Sequence, residues 1–397
     1  TPYQTTHDDA TRIAMGYIQF ARHSMRVKRS SPNLVSTGMD EALPYITSNI
    51  FSYKFKGKRG KVLDVTDRWI IFQDLDTKEV NYVDLEEKVM KNSDGGFYVT
   101  VKLDANVKKG QTLSYNSILA YDKGSYSKPI SADKDMNNVS YNNGTMISLA
   151  IMQSSEGYND ATTVTEKLAE SLTMEFCIEK ARYLPKDANV YNVIKKGTPI
   201  QEGDPLMIFQ NAFEEKDANE LLKSITDDEL DAVSDLGRIH VRSKITGIVQ
   251  DVKIFRTCDI DQLSPSLKKL VSDHEASIKR DINQLKKYKV PEEAIKGNFD
   301  PNYKLSPTGR IKDTIDGVKV VFYIKATDKY GIGDKLIYGI GLKGVCSDMI
   351  ATEDSPYTDL HPNCEVSGIL TTAGMNARMV TSVIFNGLLN KILVELD

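Results

Sequence analysis

Two lysines in a glycine-rich stretch are the residues of this chain best suited to chemistry. Gly331-Ile332-Gly333-Asp334-Lys335 runs on to Gly339-Ile340-Gly341-Leu342-Lys343-Gly344-Val345, with Lys335 and Lys343 eight residues apart. Glycine allows tight turns and close backbone approach, so a loop of this kind lets ammonium groups come near a phosphate. Residues 339–344 also fit the GxGxxG spacing of a dinucleotide site. That chemistry needs a helix directly after the glycines, with the pyrophosphate at its N-terminus. Val345-Cys346-Ser347-Asp348 is a poor helix start, which counts against a nucleotide-dependent oxidoreductase. Other catalytic patterns are missing. His7, His23, His240, His274 and His361 are scattered without HExxH or paired metal spacing, and no GxSxG elbow occurs. Cys177, Cys258, Cys346 and Cys364 form no CxxC pair, so neither zinc nor a disulfide framework is expected, and the compartment reads as reducing.

Composition narrows the partners. The 397 residues suggest two or three domains, with enough chain to bury a real core. Against 55 acidic residues stand 51 basic ones, a net charge of −4, so a polyanion must be met by a local patch. No apolar run reaches the ~18 residues of a membrane span. Thr1 is not an initiator methionine, and the opening residues lack the basic-then-apolar order of a signal peptide.

The elements that must position the lysines follow from hydrophobic spacing. A first helix is expected from Thr6 as cap, with acid at Asp8 and Asp9 in its first turn. A basic stretch follows, Arg22, His23, Arg26, Lys28 and Arg29, which taken alone reads as a solvated face. Phe51, Tyr53 and Phe55 alternate as a strand does, and Gly57 to Gly60 and Asp74 to Thr77 are turn signals around Val62 to Phe72. Val164, Leu168, Leu172 and Phe176 recur every four residues and predict a helix over Ala161–Ala181. A second module is expected over 185–325, with one helix bearing Leu221, Leu222, Ile225 and Leu230. Its other helix is better marked, with Ser264 as cap, Pro265 at the first position and Pro291 as the stop. Strand-like Val318–Ile324, the glycine-rich loop and an apolar helix over Met379–Val394 complete the chain.

His7-Asp8-Asp9-Ala10-Thr11-Arg12-Ile13-Ala14-Met15-Gly16, followed by Leu34 to Asp40, resembles the HDDANRALMG and LVGTGME segments of the β subunit of cellular multisubunit RNA polymerases. Lys58 to Val62 stands at a KRGG turn, and Val107 to Leu113 resembles VxKGDxLA. Gly157-Tyr158-Asn159-Asp160 with Thr165 to Leu168 is similar to GYNFED with LSERL, and Ile245 to Val252 is similar to SGTVIDV. Gly333-Asp334-Lys335 and Lys343-Gly344-Val345 resemble GDKMAGRHGNKGV with its lysine spacing kept. Glu353 to Tyr357 and Ala377-Arg378-Met379 resemble EDMPY and SRM. The departures include Gly339-Ile340 for the family's Arg-His, Arg22 for its Gln, and a missing acidic neighbour at Asp160.

The resemblance implies a β-rich α+β fold. Its hybrid-binding domain would contain a double-psi β-barrel built from 1–184 and 326–397, with a flap or wall module over 185–325. It further implies that Lys335 and Lys343 hold phosphates near the RNA 3′ end, and that Arg12 and Arg378 contact the incoming triphosphate. Asp160 would lie near a second metal, and the basic stretch Arg22, Arg26, Lys28 and Arg29 would join the nucleic-acid contacts. Mg²⁺ is expected mainly on the largest subunit, whose DFDGD cluster has no counterpart here. The expected whole is a DNA-directed RNA polymerase, a nucleotidyltransferase in which the isolated chain is inactive. Expected partners are the N-terminal half of β on a separate chain, β′-like subunits, a promoter-specificity subunit, template DNA, nascent RNA and NTPs. This division resembles the split subunits of giant bacteriophages, which places the chain in the cytoplasm of the bacterial host or in the virion. The rival expectation is a non-catalytic nucleic-acid-binding or assembly module that keeps the fold.

Overall fold

The computed structural model describes residues 3–19, 25–27, 30–91, 98–128, 138–142, 144–155, 157–211, 238–296, 316–339, 341–359, 365–378 and 380–396. The expected helix with Leu221 to Leu230 and the residues Arg22, Lys28 and Arg29 lie outside them. The fold is β-rich α+β, as expected.

Helix α1 spans Ala10–Ile18 and is capped by Asp9, whose carboxylate accepts from the Arg12 N–H at 2.8 Å. The cap is therefore three residues later than Thr6, which sits in a separate turn of helix, Gln4–His7. The strand signals after Asn49 are met by Ser52–Lys54, Arg59–Val65 and Trp69–Asp74. Asp74 closes the expected turn by accepting from the N–H groups of Asp76 and Thr77.

The helix expected over Ala161–Ala181 is not formed. The chain there makes strand β1 (Ala161–Thr165), a short helix Glu166–Ser171, and the twelve-residue strand β2 (Met174–Pro185). The four-residue spacing was shared by two periods, and β-branching decided between them. Thr162, Thr163, Val164 and Thr165 are all buried, as in a strand covered on both faces, and Thr165 then caps the short helix.

Strand β3 (Gly247–Arg256) leads to helix α2 (Pro265–Lys287), capped by the Ser264 hydroxyl as its sequence demands. This helix buries Leu267 and Val271 in the module core and Leu285 in a second cluster with Trp69, Ile71 and Tyr82. Strand β4 (Gly317–Asp328) pairs residue for residue with β2, from Met174↔Asp328 to Pro185↔Gly317. The expected boundaries at 184 and 325 thus fall inside two strands that are common to both parts. The six-stranded sheet runs Pro199–Ile200, β3, β4, β2, Tyr98–Val101, Lys88–Lys91 and so joins the module to the first part of the chain.

The last elements are β5 (Lys335–Tyr338), β6 (Leu342–Ile350), β7 (Gly368–Leu370), α3 (Thr372–Arg378) and α4 (Thr381–Leu396). The expected single helix over Met379–Val394 begins instead at Thr381, just after the separate α3. A five-stranded mixed sheet is ordered Leu149–Ile151, β7, β1, β6, β5, with β1 and β6 parallel.

Trp69 is the sole tryptophan of the chain, which makes the docking of α2 observable. Leu285 is fully buried against its cluster, so Leu285→Ala should cost about 2–5 kcal/mol. Tryptophan emission should shift to the red at lower urea than in the wild type. An unchanged midpoint would show that the helix end contributes no packing there.

Candidate functional site

The glycine-rich segment is a hairpin and not an open loop. Its register is Lys335↔Val345, Leu336↔Gly344, Ile337↔Lys343 and Tyr338↔Leu342. Residues directly opposite in an antiparallel pair share a face, and so do residues two apart along a strand. Lys335, Ile337, Lys343 and Val345 therefore lie on one face. Leu336, Tyr338, Leu342 and Gly344 lie on the other, where Tyr338 and Leu342 are buried in a core with Leu370 and Met375. The eight-residue spacing thus brings both lysines to one face as diagonal neighbours, about 7–8 Å apart at their roots. Among the described residues Lys335 forms no ion pair, and it is exposed.

Backbone geometry explains the glycines. Gly341 has φ +98° in the turn, a conformation L side chains rarely adopt. Gly344 suits a close approach, since a Cβ there would stand 3.0 Å from the Asp160 carbonyl oxygen. That carbonyl accepts from the Val345 N–H at 2.9 Å and begins the parallel pairing of β1 with β6. No helix follows the GxGxxG match, because residues 342–350 are strand β6. The dinucleotide chemistry is excluded by that geometry.

Arg378, at the end of α3, reaches into the same place. Its Nη1 donates to the Lys343 carbonyl at 2.5 Å and its Nη2 to Asp160 Oδ2 at 3.2 Å. One guanidinium therefore ties the lysine strand to the loop before β1. Asp160 is half exposed and precedes a strand, so it caps no helix. The loop itself is clamped from α3. The Thr371 hydroxyl donates to the Asn159 carbonyl at 2.7 Å, and a Cβ on Gly374 would stand only 2.3 Å from that same oxygen.

Arg12 arrives from the N-terminal helix. Its carbonyl is 3.7 Å from where a Gly341 Cβ would be, and its guanidinium has no ion-pair partner among the described residues. Arg26, expected among the nucleic-acid contacts, is engaged within the fold. Its Nη2 pairs with buried Asp122 at 2.6 Å and its Nη1 donates to the Thr100 carbonyl at 2.9 Å. This guanidinium ties residue 26 to the strand at Thr100 and the turn at Asp122. The described residues contain no group of three His, Cys, Asp or Glu able to hold a metal ion. Asp160, paired with Arg378, does not make a metal site by itself.

Four further residues shape the site and were missed in the sequence: Asp8, Gln19, Thr371 and Tyr338. Gln19 is a polar residue at a helix end, and no spacing rule marks it. Tyr338 lies within the glycine-rich run, and its hydroxyl contacts that of buried Thr162, which in turn donates to the Ile369 carbonyl at 3.1 Å.

A family model for RNA polymerase Rpb2, domain 6, matches residues 135–395. The chain belongs to that family. The DNA-directed RNA polymerase subunit beta of Acetivibrio thermocellus is 24% identical over 401 aligned residues, covering 94% of this chain and 26% of the relative. The chain thus spans about a quarter of that relative's length. Asp160, Lys335, Lys343 and Arg378 all fall inside the Rpb2 domain 6 match, whereas Arg12 and Gln19 precede it.

Burial of Tyr338 gives the family sheet a pH signature. The loss of solvent pushes its hydroxyl up to about 12 from an ordinary value of 10. The folded state thus holds the proton more tightly than the unfolded chain. This contribution is fully present below pH 10 and is lost as pH rises through about 12. Tyr338→Phe should reduce the fall in stability across that window, measured by urea unfolding at several pH values. It should also cost about 1 kcal/mol at neutral pH through the lost Thr162 contact. An unaltered pH slope would show that Tyr338 ionises normally in the fold.

Proposed function

We propose that this chain is a β-like subunit of a multisubunit DNA-dependent RNA polymerase, holding the RNA–DNA hybrid beside the RNA 3′ end and contacting the incoming nucleoside triphosphate. The observation that carries the reading is the placement of Lys335 and Lys343 on one face of a hairpin whose position is fixed by Arg378 and Asp160. Family membership and the beta-subunit relative support it. In this reading the five-stranded mixed sheet is the chain's share of a double-psi β-barrel, and the module around α2 is the flap or wall.

Phosphodiester synthesis asks for alignment of the RNA 3′ hydroxyl and neutralisation of phosphate charge more than for covalent help. A lysine ammonium is a point charge on a flexible stem, so two of them on one face can hold neighbouring backbone phosphates without reading a base. Arg12 is the guanidinium available for the triphosphate, where its planar fork can bind phosphate oxygens bidentately. Arg378 takes a double part. It aligns the Lys343 strand while the triphosphate is absent, and a triphosphate can compete with Asp160 for its Nη2. The Mg²⁺ needed for nucleotidyl transfer is held mainly by the largest subunit, with Asp160 in its neighbourhood at most. Other polymerase subunits, template DNA and nascent RNA are the partners, and the isolated chain is inactive.

The test is single-turnover nucleotide addition by the assembled complex on two scaffolds of unrelated sequence. Lys335→Ala and Lys343→Ala should each slow addition on both by roughly 10- to 150-fold, as expected for a charged hydrogen bond of about 1.5–3 kcal/mol. Each should lower the salt slope of hybrid binding by about one phosphate contact or less. Wild-type rates in both variants would sink the reading. A defect on one scaffold only would mean base readout instead.

A further inference from the structure

Helix α1 is fastened at both of its ends. Asp8, just before it, accepts from the backbone N–H and the hydroxyl of Ser382 at 3.0 and 2.6 Å, and Ser382 is fully buried at the start of α4. Gln19, just after it, is 3% exposed and accepts from the Gly341 N–H through Oε1 at 3.0 Å. Arg12 and Gln19 stand seven residues apart, two helical turns, and therefore on one face. Gly341 lies against that face, with its absent Cβ 3.7 Å from the Arg12 carbonyl.

The contact with Gln19 matters because of where Gly341 sits. It occupies the turn between β5 and β6, beyond the last cross-strand pair Tyr338↔Leu342, so its N–H has no partner within the hairpin ladder. A buried N–H must find an acceptor or the backbone moves to give it one. A side-chain amide supplies that acceptor without bringing a charge into a region that must receive phosphates.

We propose that Gln19 is a positioning residue that pins the β5–β6 turn to α1 and so sets the distance between Arg12 and the lysine pair. The inference rests on the proposed polymerase role of Arg12, Lys335 and Lys343. Gln19 itself touches neither nucleic acid nor triphosphate in this scheme. It acts through the Gly341 backbone.

Two substitutions separate the acceptor from the shape. Gln19→Met keeps the length of the side chain and removes the acceptor, whereas Gln19→Glu keeps an acceptor at the same reach. Hydrogen exchange of the backbone over residues 336–344, measured in the assembled complex, reads the latch directly. Exchange at the turn should be at least tenfold faster in Gln19→Met and near wild type in Gln19→Glu. In nucleotide addition, Gln19→Met should raise the KM for NTPs about three- to tenfold with kcat within twofold. It should add nothing further in an Arg12→Ala background, because its effect passes through Arg12. Unchanged exchange would overturn the latch. Faster exchange with an unchanged KM, or full additivity with Arg12→Ala, would overturn the positioning role. A wild-type complex that adds no nucleotide would remove the polymerase reading and the link to Arg12 with it, and the exchange measurement would still decide whether Gln19 holds the turn.

Discussion

The site depends on one close approach of two backbones. Gly344 lies close to the Asp160 carbonyl, with a Cβ there standing 3.0 Å from the oxygen, and the neighbouring Val345 N–H takes that carbonyl as its acceptor. Through this contact β1 and β6 run parallel although their sequences are far apart, and the loop ending at Asp160 is carried beside the lysine hairpin. Arg378 can then reach both partners with one guanidinium. A methyl group at residue 344 would need the hairpin or the loop to give by a few tenths of an ångström. The glycine is there for distance, while that of residue 341 is there for backbone angle.

Electrostatics explains why the cluster can exist in a chain of net negative charge. Two of the four basic groups, Lys335 and Arg12, have no ion-pair partner among the described residues. Arg378 is balanced by a half-exposed carboxylate and by a carbonyl dipole. Half-exposed pairs contribute little to stability because water screens them, so the Arg378–Asp160 link can be opened at low cost. Arg26 with buried Asp122 is the opposite case, a pair whose separation would strand a charge in the interior. The two arginines look alike in sequence and differ in what surrounds them.

Much of the fold was legible in the residues. The Ser264-Pro265 start of α2, the alternating strands around Trp69 and the turn at Asp74 follow from local chemistry and stand where they were expected. The lysine spacing was legible as well, although an eight-residue interval looks the same in a loop and in a hairpin. What was not legible depends on contacts between distant segments. The stretch from Ala161 to Ala181 carries a helical spacing that a central, doubly covered strand overrides. Gln19, Asp8 and Thr371 are ordinary polar residues until the fold sets a particular amide or hydroxyl in front of each.

The pairing of β2 with β4 has a consequence for how this part of the molecule can be exchanged between relatives. Twelve residues of each strand match one to one without a bulge, a ribbon about 40 Å long that ends in the module at one side and leads to the lysine hairpin at the other. Because side chains alternate between faces, losing one residue from either strand would turn every later side chain inside out. A module grafted through two junctions at cross-strand partners, such as Ile178 with Ile324, would keep the side-chain phase of both strands. The ribbon sets the phase that any such graft must match.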